Sequence, residues 1–142
     1  MCVYARGFSI NGICAGGTNM SGMWNQTKAV DYAQKHQVGG FGKGQCAEHV
    51  RQAIQAGGIT LNRTHYAKDY GNSLQSAGFQ SVQGTPVKGD VAVIQPAPGH
   101  PDGHMAIFDG THWVSDFIQQ HGMYPGPSYR NAKPSYVIYR HY

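Results

Sequence analysis

The stretch "GKGQCAEHV" places Cys46 after two glycines and a glutamine and directly before an amphipathic segment. A thiol attacks a carbonyl carbon only as the thiolate, and its ordinary pKa of about 8.5 leaves little of it ionised at neutral pH. The first turn of a helix favours an anion through its unpaired backbone N–H groups and its dipole. Cys46 is therefore a candidate nucleophile, and a buried packing residue is the alternative.

A nucleophilic cysteine needs a base, and the chain offers eight histidines. His104, in "GHMAIFDG", opens a β-rich run directly after a glycine, where a strand would hold an imidazole rigidly. His49 is closer in sequence, but a spacing of three residues along one helix usually gives a solvated neighbour. His104 is therefore the candidate base.

Asp116, in "HWVSDF" on the following run, is the candidate third group that orients the imidazole. A three-residue hairpin loop, 109–111, would place His104 opposite Asp116, whereas a two-residue loop would place it opposite Ser115. The catalytic interpretation therefore predicts the three-residue loop, and a solvated strand aspartate is the alternative. The same register predicts an apolar opposite face made of Met105, Ile107, Trp113 and Phe117.

A metal site is a further alternative. "HPDGH" spaces His100 and His104 four residues apart with Asp102 between them, and Cys46 would add a thiolate. However, the intervening loop contains a proline and a glycine, so it does not put both histidines on one helical face, and no CxxC motif accompanies it. We therefore predict neither a metal nor a cofactor.

Helices are predicted in the first half of the chain. "WNQTKAVDYAQKH" (24–36) has helical spacing, and "CAEHVRQAIQAGG" places Cys46 in the first turn of a second helix, on one face with Val50 and Ala53 or Ile54. A third helical stretch covers roughly 67–77. Four short β-rich runs follow: "DVAVIQ", "HMAIFDG", "HWVSDFI" and "SYVIYRHY". Helices before strands predict an α+β fold, with N-terminal helices packed on a C-terminal antiparallel sheet.

The length of 142 residues fits one domain. We expect an irregular N-terminal arm over 1–23 and a domain over 24–142. The net charge of +4 is scattered along the chain, which disfavours nucleic acid as a partner. No apolar run predicts a membrane span, and no ordinary signal peptide is recognisable. Cys2 and Cys14 would form either a disulfide or a pair of buried thiols.

A resemblance to a known family is carried by four segments in order: "GQCAEHVRQAI", "VKGDVAVIQ", "GHMAIFDG" and "WVSDF". With them the chain resembles the CHAP superfamily of cysteine, histidine-dependent amidohydrolases and peptidases, which are relatives of the NlpC-type cell-wall peptidases and of papain. The resemblance covers roughly 24–142 and implies a papain-like fold. It also implies that Cys46 is the nucleophile, His104 the general base and later acid, and Asp116 the orienting group.

The resemblance further implies hydrolysis of an amide bond in peptidoglycan, within the stem peptide or between stem and sugar. Small basic members without a signal peptide look like the amidase effectors that bacteria inject into rivals by type VI secretion. Such an enzyme would act in the periplasm of the target cell, and its producer would need an immunity protein that covers the active site. The alternatives are a phage-type lysin, an inactive peptide-binding module, and a hydrolase or acyltransferase acting on other peptides or ubiquitin-like proteins.

Four further groups are candidates around the nucleophile. The backbone N–H of Cys46 would hold the tetrahedral oxyanion, and Gln45 would donate a second hydrogen bond or merely begin the helix. Tyr70 and Trp113 are candidate substrate-binding residues, with core packing as the alternative for both.

Overall fold

The structure, a computed structural model, describes residues 24–37 and 45–142. Its helices are α1 (Gln26–Lys35), α2 (Cys46–Ala56), a 3-10 turn (Ala67–Asp69), α3 (Tyr70–Ser76) and α4 (Pro127–Ala132). Its strands are β1 (Gln80–Val82), β2 (Val91–Ile94), β3 (His104–Phe108), β4 (Trp113–Val114), β5 (Ile118–Gln119) and β6 (Tyr136–Arg140). The predicted α+β class, with helices before an antiparallel sheet, is confirmed. The predictions for the arm 1–23, with Cys2 and Cys14, fall outside the described residues.

All six strands form one antiparallel sheet in the order β1-β6-β2-β3-β4-β5. β2 lies between β6 and β3, and all four of its residues are buried. Burial on both faces explains why its sequence, VAVI, is continuously apolar instead of alternating. None of the helices among the described residues is both long and apolar enough to cross a membrane.

α1 and α2 pack against each other and cover one face of the sheet. Asn25 begins α1, because its side chain accepts a hydrogen bond from the Lys28 amide at 2.9 Å. The predicted apolar spacing is confirmed, and these side chains join Met105 and Ile107 of β3 in a helix-side core. That core includes Ala29, Val30, Ala33, Val50, Ala53 and Ile54.

A second cluster lies on the opposite face of the sheet and is called the outer core here. It consists of Ala92, Ile94, Ala97, Ala106, Trp113 and Tyr129. Tyr129 belongs to α4, which the sequence analysis did not predict. The outer core closes the sheet on the side away from α1 and α2.

The predicted register between β3 and the next strand is wrong. Phe108 pairs with Trp113 and Ile107 with Val114, so the loop 109–112 has four residues instead of three. The Asp109 carboxylate explains this length, because it accepts hydrogen bonds from the amides of Thr111 at 2.7 Å and His112 at 2.6 Å. Trp113 consequently faces the outer core and not the helix-side core.

The run predicted as one strand, "HWVSDFI", is two short strands. β4 and β5 pair with each other around a tight turn at 115–117, in which the Ser115 amide donates to the Phe117 carbonyl at 2.9 Å. Asp116 therefore lies in a turn and not opposite His104 on a strand. The turn brings β5 and its Gln119 to the edge of the sheet.

A buried ion pair joins the ends of β2 and β6. The Asp90 carboxylate is fully buried and accepts two hydrogen bonds from the Arg140 guanidinium, both at 2.8 Å. The carboxylate also accepts a hydrogen bond from the Val87 amide at 2.9 Å. Because Asp90 has no exposed surface, its charge depends on these donors for stabilisation.

We expect R140M to lower the free energy of unfolding by about 3–5 kcal/mol, because it leaves the Asp90 carboxylate buried without its cation. Urea unfolding followed by circular dichroism measures this loss. The double variant D90A/R140M should lose at least about 1 kcal/mol less than the sum of the two single variants, since the orphaned charge is then gone. Additive losses, or an R140M loss below about 1 kcal/mol, would contradict the assignment.

Candidate active site

A cleft of about 1050 Å³ lies where the first turn of α2 meets the beginning of β3. It brings together five of the residues predicted from the sequence: Gln45, Cys46, Tyr70, His104 and Asp116. Trp113 does not line it and packs instead against Phe108 in the outer core, with ring centroids 5.0 Å apart. Tyr70 reaches the cleft wall but is almost entirely buried in the helix-side core.

Cys46 is the first residue of α2 and is partly exposed to the cleft. The first hydrogen bond of the helix runs from the His49 amide to the Gln45 carbonyl, so the amides of Cys46 and the next two residues precede the helical ladder. Burial raises the pKa of the Cys46 thiol to about 11; the Met105 amide opposes that rise, and the charge of Asp116 adds to it. The resting group is therefore a neutral thiol beside the backbone of β3, and it needs a base.

His104 is the first residue of β3 and is 7% exposed. Its Nε2 lies 2.7 Å from Oε1 of Gln119. The Gln119 Nε2 donates to the carbonyls of Gly122 at 2.9 Å and Met123 at 2.8 Å, so the amide nitrogen faces those carbonyls and the oxygen faces His104. His104 must then carry its proton on Nε2, which leaves Nδ1 as the basic nitrogen of the neutral ring.

Burial also determines the charge state of His104. It lowers the pKa of the imidazole from 6.5 to about 4; the hydrogen bond to Gln119 and the charge of Asp116 both oppose that fall. At neutral pH the ring is therefore uncharged and able to accept a proton. The thiol and the imidazole form a neutral pair at rest, unlike a thiolate–imidazolium pair.

The start of β3 is held in place by contacts with Ile94 and Lys68. Gly103 has a φ of 74°, and a Cβ there would collide with the Ile94 carbonyl and with Lys68. The Lys68 amide, in the 3-10 turn, donates to the Asp102 carbonyl at 3.0 Å. Only glycine fits this left-handed position, and the close packing fixes the strand at the residue before His104.

Asp116 is buried and its Oδ2 accepts a hydrogen bond from the Gln45 amide at 3.0 Å. The sequence predicted Asp116 as the group that orients His104, whereas the structure places Gln119 on His104 Nε2. The turn at 115–117 is the reason, because it points Asp116 toward the start of α2 while β5 carries Gln119 to the imidazole. Asp116 still acts on both groups through its charge.

The Gln45 amide is committed to Asp116, so it does not offer a free donor to a substrate. Its side chain is exposed at the cleft and makes no capping bond to α2. Within 24–37 and 45–142, no group of three or more His, Cys, Asp or Glu side chains is arranged to hold a metal ion. Sequence reasoning missed Gln119, and only the correct register of β4 and β5 would have identified it.

The site is papain-like in its arrangement. Cys46 begins a helix, the neutral imidazole of His104 lies on a neighbouring strand, and the buried side-chain amide of Gln119 accepts a hydrogen bond from that imidazole. The CHAP domain matches residues 35–121, more than half of the chain, so the chain belongs to the CHAP domain family. The predicted resemblance is confirmed, and the protein is a cysteine hydrolase.

The most informative relatives are solved structures of a type VI effector–immunity complex, Tae3–Tai3, from Ralstonia pickettii. The native complex contains a chain 58% identical to this protein, with a TM-score of 0.82, covering 84% of this chain and 100% of that one. The selenomethionine form of the complex contains a chain that is 60% identical to this protein, with a TM-score of 0.78; the match covers 80% of this chain and 99% of that one. No match was found among curated proteins.

We expect Gln119→Leu to lower kcat by about 10²-fold with little change in KM, because the imidazole loses the acceptor that fixes its tautomer. The rate of Cys46 alkylation by iodoacetamide should also fall, since a disoriented base no longer assists the thiol. Gln120→Leu is the matched control, because Gln120 is the exposed neighbour in sequence. If both variants retained full activity, Gln119 would have no positioning role.

The pKa of His104, lowered to about 4, makes a prediction for the pH dependence of activity. The imidazole of His104 stays neutral, and so able to accept a proton, down to about that pH. The acid limb of kcat/KM should therefore lie near pH 4 instead of near 6.5. An unfolded chain binds this proton from about pH 6.5 downward, so folding stability decreases between about 6.5 and 4. Circular dichroism at each pH separates the two effects, and an acid limb near 6.5 in folded protein would contradict the assignment.

Proposed function

We propose that this protein is an antibacterial cysteine amidase that hydrolyses an amide bond in peptidoglycan. The observation that carries the proposal is the Cys46–His104–Gln119 arrangement in a chain 58% identical to a type VI effector. The site supplies a nucleophile and a base with an available nitrogen, which are the groups that acyl transfer from an amide requires.

Cys46 would act as the nucleophile and His104 as general base and then acid. Nδ1 of His104 takes the thiol proton as the sulfur attacks the amide carbonyl, so neither group needs to be charged at rest. The resulting imidazolium donates that proton to the leaving amine, and a water molecule activated by the same nitrogen releases the acyl group. The Cys46 amide, which precedes the helical ladder, would donate a hydrogen bond to the oxyanion.

The cleft fits a peptide branch of the cell wall better than a small metabolite. One wall is formed by α2 side chains and by Arg63, whose guanidinium nitrogen lies 3.4 Å from a carboxylate oxygen of Glu48. The loop 99–103 forms another wall. The third contains Pro125, Gly126 and Pro127. A groove of about 1050 Å³ with charged and polar walls accommodates several residues of an extended stem peptide.

The relatives supply the biological setting of the proposal. The Ralstonia pickettii protein is a type VI effector crystallised with an immunity protein. By this similarity, the present protein would be delivered by a type VI apparatus into rival bacteria and would act on the wall in their periplasm. The producing cell would protect itself with an immunity protein that binds over the cleft.

We expect Cys46→Ala to abolish the release of new amino groups from purified peptidoglycan, with a loss of about 10⁴-fold or more, because no other group forms the acyl-enzyme. Mass spectrometry of the released muropeptides measures the loss and identifies the bond that the wild type cleaves.

Cys2→Ala and Cys14→Ala are the controls for nonspecific effects of removing a thiol, and both should retain activity. Retained cleavage by Cys46→Ala would disprove the nucleophile. A wild type that binds wall fragments without cleaving them would support the inactive binding module instead.

A further inference from the structure

Tyr129 is a buried residue of the cleft that the mechanism above does not use. It lies on α4, is 2% exposed, and lines the cleft together with Cys46 and His104. Its ring centroid lies 5.0 Å from that of His100 and 5.9 Å from that of His104. The phenol ring therefore lies at the cleft beside both histidines.

The ring is held rigidly by its surroundings. Pro127 begins α4, and the Ser128 hydroxyl donates to the Pro98 carbonyl at 2.6 Å, which ties the helix to the loop on the cleft wall. Tyr129 also packs in the outer core against Ala97 and Ala106. A side chain fixed in this way presents its hydroxyl in one place without losing entropy when a substrate binds.

The hydroxyl of Tyr129 forms no hydrogen bond with any residue in the described part of the chain. By contrast, Tyr124 donates to the Pro134 carbonyl at 2.7 Å and Tyr32 to Gln52 at 3.2 Å. A buried hydroxyl is unfavourable without a partner, and at the cleft either water or a bound ligand can supply one. Burial raises the pKa of Tyr129 to about 12, and the neighbouring Cys46 and Asp102 add to the rise, so the group stays a donor at working pH.

Tyr129 lines the same cleft as Cys46 and His104 and carries a hydrogen-bond donor there. A tetrahedral oxyanion is usually held by two donors. The backbone amide of Gln45 is already bound to Asp116, and the Gln45 side chain is exposed and makes no capping bond to α2, so it is less preorganised than the buried Tyr129 hydroxyl. We propose that the Tyr129 hydroxyl is a further catalytic residue, which donates the second hydrogen bond to the oxyanion while the Cys46 amide donates the first. The proposal rests on acyl transfer at Cys46, as in the proposed function.

The step balances without any added reactant. The S–C bond forms as the thiol proton moves to His104 Nδ1, and the carbonyl π electrons move to the oxygen, which accepts hydrogen bonds from Tyr129 and from the Cys46 amide. When the C–N bond breaks, those electrons restore the carbonyl, and the proton passes from His104 to the amine. Tyr129 keeps its own proton throughout.

The test compares two reactions of the same sulfur in Tyr129→Phe, which removes only the hydroxyl. Acylation of Cys46 by 4-nitrophenyl acetate passes through an oxyanion and should slow at least about tenfold. Alkylation by iodoacetamide forms no oxyanion and should proceed at the wild-type rate. Peptide mass spectrometry assigns both products to Cys46, and kcat for peptidoglycan should fall about 10²–10³-fold with little change in KM.

Tyr124→Phe is the matched control, because its hydroxyl bonds to Pro134 away from the cleft, and it should match the wild type in both reactions. Equal acylation by Tyr129→Phe and wild type would overturn the proposal. Equal slowing of acylation and alkylation would also overturn it, since Tyr129 would then merely position the thiol or the base. Because neither reagent is a wall fragment, a wild type inactive on peptidoglycan would refute the proposed function and leave this test decisive.

Discussion

The hydrogen bond between His104 and Gln119 is the constraint on which the chemistry proposed for this fold depends. An imidazole serves as a base for a neighbouring thiol only when its proton is on the distant nitrogen. Gln119 imposes that tautomer because its own amide cannot rotate without losing both carbonyl acceptors, those of Gly122 and Met123. Gly122 and Met123, in the loop after β5, thus help to set the tautomer of His104, although neither of them lines the cleft.

The short turn between β4 and β5 connects the two halves of the site. Asp116 in this turn binds the Gln45 amide and so fixes the start of α2, while Gln119, three residues later, fixes the ring of His104. A shift of the turn by one residue would disturb Cys46 and His104, the proposed nucleophile and base, together, because side chains alternate between faces of a sheet. A few residues at the sheet edge therefore set the geometry of the proposed catalytic pair.

Helices α1 and α2, their apolar faces and the position of Cys46 were predictable, because periodicity within a helix is a local property. The contact between Gln119 and His104 was not, because it depends on the length of the 109–112 loop. That length follows from the bonds of the Asp109 carboxylate to two turn amides, and "FDGTH" is equally compatible with a shorter loop. The same error placed Trp113 beside the cleft, where its aromatic character suggested binding, whereas it fills the outer core.

A neutral resting pair changes which part of the site must stabilise the transition state. Burial disfavours both the thiolate and the imidazolium, so charge appears only as the proton moves and the sulfur attacks. The negative charge of Asp116 favours the imidazolium but disfavours a free thiolate. Its repulsion of the thiolate ends once the negative charge has moved from the sulfur to the carbonyl oxygen. Hydrogen-bond donors aimed at that oxygen then contribute most of the differential stabilisation, since they act on a charge that the resting enzyme does not carry.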